Sequence, residues 1–167
     1  MIGLTTLGVF HTAFGLVALL CGSYTLFRYK EISPWNRSGQ VYLVTTSVTA
    51  VTALGIFQHG GFGPQHILAI LTLAALAIGT LAATSTFFGR ASRYIQAISY
   101  SSTILFHLFP AVTETLTRFP PGNPWVASPY EPVLRVFYIL LFVAFLVGVT
   151  LQIRWLRASS RLAEHLQ

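Results

Sequence analysis

A chain of 167 residues with 54% hydrophobic and only 8% charged side chains stands far from a soluble domain, in which about a quarter of the residues are charged. Its net charge of +6 comes from basic residues scattered between apolar runs, which excludes a nucleic-acid-binding face. One cysteine, Cys21, excludes an internal disulfide and the thiolate metal motifs.

Apolar runs of bilayer-crossing length, about 20 residues each, recur along the chain. The first covers about 3–27. Gly8, Gly15 and Gly22 repeat there every seventh residue, and His11 shares their face. The stretch before it carries no basic n-region, so this span is expected to stay in the mature protein. Ser33-Pro34-Trp35-Asn36 breaks the chain, with Trp35 to Arg37 as an interface anchor. The second span, about 38–58, lines up Tyr42, Thr45, Thr49, Thr52 and His59 at helical spacing. After Gly60-Gly61-Phe62-Gly63-Pro64, a third span over about 65–88 presents His66, Leu73, Ala77, Thr80 and Thr84. Gly89-Arg90 turns the chain into a fourth, about 93–116, with the stripe Gln96, Tyr100, Thr103, His107 and Glu114. The outer loop 117–131 holds four of the eight prolines and reads as a stiff connector anchored by Trp125 and Tyr130. A last span, about 132–155, has few polar residues and is expected to face lipid or another subunit.

The basic residues orient these five spans. Arg28, Lys30, Arg37, Arg90, Arg93, Arg154, Arg157 and Arg161 fall on one side, and only Arg118 and Arg135 on the other. The positive-inside rule then puts the N-terminus outside and the C-terminus in the cytoplasm. The expected fold is all-α: one polytopic transmembrane helical bundle over 1–167, in the lipid bilayer of a bacterial inner membrane.

In that topology His11, His59, His66 and His107 share the outer side. His59 and His66 flank the loop between spans two and three as interfacial residues near water. His11 and His107 each lie about 12 Å deeper, at 1.5 Å per residue. Imidazole is costly in lipid, so a matched pair on two helices points to a ligand or proton-transfer role, although small residues and hydroxyls at such spacing also serve helices simply as packing and hydrogen-bonding groups. Three chemistries are open. Haem b needs two axial imidazoles, here His11 and His107, with Gly8 and Gly15 clearing space and Thr103 tuning the iron. A mononuclear transition metal, copper, zinc or iron, would draw on His11, His59, His66, His107 and Glu114; the two tiers of histidines are too far apart in depth for one ion to collect both. A proton relay would use the polar stripe of span four, loosened by Pro110.

The pattern His11-x3-Gly15-x2-Ala18-Leu19-x2-Gly22, with Lys30 and Gly39-x2-Tyr42, resembles a family of small bacterial membrane proteins of unknown function, over about the first third of the chain. Where many of those relatives carry a histidine shortly before the Gly-x2-Tyr step, this chain has Trp35, Asn36 and Arg37. The stretch from Gly55 to His66 is similar to a proteobacterial branch. The resemblance implies a compact helical membrane bundle and brings no activity with it. In outline the bundle is also similar to b-type cytochromes, by analogy of fold alone. The leading expectation is therefore an inner-membrane bundle that binds haem b or a transition metal near its outer face for electron or proton transfer. A non-catalytic accessory or assembly subunit of a larger membrane complex is the competing class and a small transporter the third; other membrane subunits, or further copies of the chain in a homo-oligomer, are the expected partners.

Overall fold

The computed structural model describes residues 5–57 and 61–164. Every regular element among them is helical: α1 (Thr6–Tyr29), α2 (Arg37–Leu54), α3 (Pro64–Thr84), a 3-10 turn (Gly89–Ala91), α4 (Ser92–Arg118) and α5 (Pro132–Glu164).

Local chemistry sets the ends. The Thr5 hydroxyl accepts the Gly8 N–H and starts α1, and Lys30 closes it in a left-handed conformation, its N–H returning to the Leu26 carbonyl. The Asn36 side chain accepts the Gly39 N–H at 2.7 Å and starts α2. Pro64 opens α3 at a position where its missing N–H costs nothing. Three boundaries differ from the sequence reading by four residues or more, one being the end of α3 at Thr84 and not near 88. Helix α2 stops at Leu54 because Gly55 ends it. Helix α5 runs on to Glu164, because Leu, Arg and Ala after Ile153 are good helix formers and no Gly or Pro interrupts them. Arg154, Arg157 and Arg161 therefore stand on a helix and not in a tail.

Helix α1 packs along α2, α2 along α3 and α3 along α4, while α1 touches α4. These four close a bundle, and α5 lies on the outside of α4. Two tyrosines fill the centre with no exposed surface, together with Ala18, Ile32 and Leu76. Each ring lies on a glycine. A Cβ on Gly22 of α1 would stand 2.6 Å from the Tyr42 ring, and one on Gly79 of α3 would stand 2.5 Å from the Tyr100 ring. A second, smaller core of Leu116, Val126 and Leu134 ties the 119–131 loop to α4 and α5.

Four helices are long and apolar enough to cross a membrane: α1, α3, α4 with its leading 3-10 turn, and α5. Helix α2 is the exception. Its inner face is made of Tyr42, Thr45, Thr46 and Thr49, all buried. These hydroxyls are affordable there because several bond back to their own helix: Thr45 to the Val41 carbonyl, Thr49 to that of Thr45, and Thr52 to that of Val48. Helix α5 is the opposite case, with Ile139, Leu140, Val143 and Val147 all exposed on a surface suited to lipid.

Candidate functional site

Two imidazoles from different helices converge on neighbouring turns of α2. His11 of α1 reaches the Thr49 carbonyl at 3.0 Å and the Thr52 hydroxyl at 3.2 Å, both through Nδ1. A carbonyl can only accept, and the Thr52 hydroxyl spends its own proton on the carbonyls of Val48 and Thr49. Nδ1 therefore carries the hydrogen and donates to both, which leaves Nε2 of the neutral ring as an open lone pair. His107 of α4 meets the buried Thr46 hydroxyl through Nε2, at 3.2 Å. That hydroxyl makes no back-bond among the described contacts, so it is free to give or take the shared proton.

The seam continues inward. Tyr42, one turn below Thr46, donates its hydroxyl hydrogen to Thr103 Oγ1 at 2.5 Å, since Thr103 gives its own to the Tyr100 carbonyl. The Tyr100 hydroxyl in turn meets Thr80 of α3 at 3.0 Å. Imidazole, hydroxyl and phenol groups of α1, α2 and α4 thus share one largely buried strip along α2, and Tyr100 links it to the exposed Thr80 of α3. From Tyr42 to Thr52 it covers about 15 Å, or half the hydrocarbon thickness of a bilayer.

Several expected participants stand elsewhere. Glu114 is exposed and paired with Arg118 one turn on, and among the described residues it makes no hydrogen bond to either imidazole. Thr103 is buried as expected, but its hydroxyl serves Tyr42; the group on His107 is Thr46. Gly8 is buried. Gly15 does not clear space beside His11: its missing Cβ would stand 3.6 Å from the Thr49 methyl, in contact with α2. The glycine stripe lets α1 approach α2, and a porphyrin at His11 would have to push the two helices apart. Among the described residues no three His, Cys, Asp or Glu side chains gather as a metal site.

His66 is not an interfacial group near water. It is 1% exposed, with Phe57 and Phe62 on its faces at centroid distances of 4.7 and 5.1 Å. Its Nδ1 accepts the Gly63 N–H at 3.0 Å, which caps α3 and places the ring hydrogen on Nε2, buried without a partner among the described residues. His59 lies outside the described residues.

Two polar contacts escaped the sequence reading. Thr46 sits four residues from Tyr42 and three from Thr49, a spacing that puts it on their face, yet Thr45 beside it fitted the stripe as well. Gln152 of α5 accepts from the Ser101 hydroxyl at 3.0 Å and donates to the Lys30 carbonyl at 2.7 Å, so it clamps α5 to α4 and to the turn after α1. Compared with family models, with curated proteins and with solved structures, the chain matches none.

Proposed function

We propose that this chain is an integral protein of a bacterial inner membrane, with five spans, its N-terminus outside, and that it conducts protons along the strip on α2. The observation that carries this reading is the convergence of His11 and His107 on adjacent turns of one helix, each ring keeping one nitrogen without a hydrogen-bond partner among the described residues. An imidazole accepts a proton on one nitrogen and releases it from the other, so each ring can pass a proton on to a neighbouring hydroxyl or water. Helix α2 supports the role: it gives up apolarity to present hydroxyls, yet keeps them bonded, so the strip stays polar without unfolding the helix. In this topology the histidines form its outer half, and Tyr42, Thr103 and Tyr100 the inner half.

The test is proton flux into liposomes loaded with a pH-sensitive dye. Wild-type protein is expected to conduct, and His107→Ala and His11→Ala to lower the rate at least tenfold. Equal rates in wild type and both variants would overturn the reading and put the accessory-subunit class ahead.

A second reading rests on the His11 tautomer. A metal-bound imidazole usually gives its other N–H to a carbonyl, as His11 does to Thr49. A copper or iron ion held between the open nitrogens of His11 and His107 would suit electron transfer, whereas zinc, which has no redox chemistry, would serve only as a structural or Lewis-acid ion. Haem b would need the α1–α2 contact at Gly15 to open. Metal analysis and a visible spectrum of the purified protein separate these from the first reading. A metal lost in both histidine variants favours the ion, and a Soret band lost in both favours haem.

A further inference from the structure

A trench of about 580 Å³ runs along the outside of the bundle, between α4 and α5. Helix α4 forms its floor through Ile104, Leu105 and Leu108; Leu26 of α1 and Leu141 and Phe145 of α5 form its walls. Its size falls in the usual range of ligand pockets, about 300–1,000 Å³. The trench exists because α5 turns small residues toward it. Ala144 and Gly148 both line it, and a Cβ built on Gly148 would meet nothing within 4 Å. An apolar space of this size beside lipid is a poor site for water, which needs polar partners.

One end of the trench is polar and basic. Lys30, Ser101, Gln152 and Trp155 line it. Ser101 and Gln152 are spent on each other and on the Lys30 carbonyl, and the Arg93 guanidinium lies 5.8 Å over the Trp155 ring. Arg93 is paired with Glu31. The Lys30 ammonium bonds to the Phe27 carbonyl, lies 5.2 Å from the centroid of the Phe27 ring and makes no ion pair among the described residues. Arg28 and Arg154 stand exposed on the helices that form the two walls.

We infer that the trench holds an anionic phospholipid, with one acyl chain along α4 and its phosphate on Lys30. The charge pattern selects this occupant. The apolar part suits any acyl chain, but a cation without a counter-ion at one end, on a chain of net charge +6, suits an anionic headgroup. Trp155 at the same end suits the headgroup level, where indole rings collect.

The experiment is native mass spectrometry of the full chain in detergent, titrated with phosphatidylglycerol or phosphatidylcholine of the same acyl chains. Wild type is expected to retain one phosphatidylglycerol at least fivefold more tightly than phosphatidylcholine. Lys30→Gln should erase most of that preference and leave the weaker, chain-driven binding. Gly148→Leu should fill the trench and weaken both lipids. Because Lys30 is exposed, its variant tests the headgroup contact even if the Gly148 variant does not fold. In protein lacking Trp35 and Trp125, a phosphatidylglycerol with brominated chains should quench Trp155 fluorescence, and Gly148→Leu should reduce the quenching. Equal retention of the two lipids by wild type, or an unchanged preference in Lys30→Gln, would overturn the inference, as would the absence of quenching.

Discussion

Thr46→Val tests whether His107 is held by α2 or merely lies near it. Valine matches threonine in shape and removes only the hydroxyl, so packing around the fully buried position stays while the 3.2 Å contact to His107 Nε2 disappears. Hydrogen bonds between helices in membranes average about 0.6 kcal/mol and reach about 1.7. A buried polar group left without a partner costs about 1–3 kcal/mol. The imidazole is only half-buried, so the expected loss is about 1–2 kcal/mol. Thr45→Val is the control. Its hydroxyl bonds only to the Val41 and Tyr42 carbonyls of its own helix, and such back-bonds add little stability, so the expected cost is below about 0.5 kcal/mol. The assay is equilibrium unfolding in mixed micelles with added SDS, followed by tryptophan fluorescence, on Thr46→Val, His107→Leu and the double variant. The pair should couple by about 0.5–1.5 kcal/mol. If Thr46→Val costs no more than Thr45→Val, and the coupling is zero within about 0.3 kcal/mol, the imidazole is not anchored to α2.

Gly79→Ala should lower stability by about 1–3 kcal/mol in the same assay, because its Cβ would land 2.5 Å from a Tyr100 ring that has no exposed surface into which to retreat. Placed in a Tyr100→Leu background, the same change should cost much less. Gln152→Leu should cost about 1–3 kcal/mol, since it strips the Ser101 hydroxyl of its acceptor and the Lys30 carbonyl of its donor. Hydrogen exchange should then quicken in the turn at 30–33, which the Gln152 clamp helps to hold.

The helices and the breaks between them were readable because glycines, prolines and caps act locally: Pro64 and Asn36 mark ends whatever packs around them, whereas Gly55, which ends α2, lies inside the span expected from the sequence. The inward faces of α1 and α4 were readable too, because periodicity reports which residues look the same way. Periodicity does not say which neighbour a face meets. The Gly15 face suited a flat cofactor as well as a threonine-lined helix, and only the contact with Thr49 decides between them. The depths of His11 and His107 came out nearly matched because rise per residue is fixed. Anchored at Thr49 and Thr46, the two rings differ by about one turn of α2. His66 was misjudged for another reason: loop glycines around it suggested water, but Phe57 and Phe62, distant in spacing from any helical stripe, close over the ring. Gln152 stood alone in an apolar span, and nothing in one-dimensional spacing announces a clamp whose partners lie 51 and 122 residues away.

The length of α5 has a mechanical consequence. Val133 to Ile153 makes about 31 Å of helix, apolar but for Arg135, Tyr138, Thr150 and Gln152 and about as long as a bilayer core is thick. The segment 154–164 then stands about 16 Å clear of it, with Arg154, Arg157 and Arg161 spaced to point along one side. The helix works as a ruler with a stop at one end: the arginines resist entering the hydrocarbon, and the apolar length resists leaving it. Tyr138, through Thr113, and Gln152, through Ser101, fasten that ruler to α4 near both ends. A thinner bilayer must therefore tilt α5 and α4 together, and the height of His107 above the arginine-bearing end of α5 becomes a function of membrane thickness.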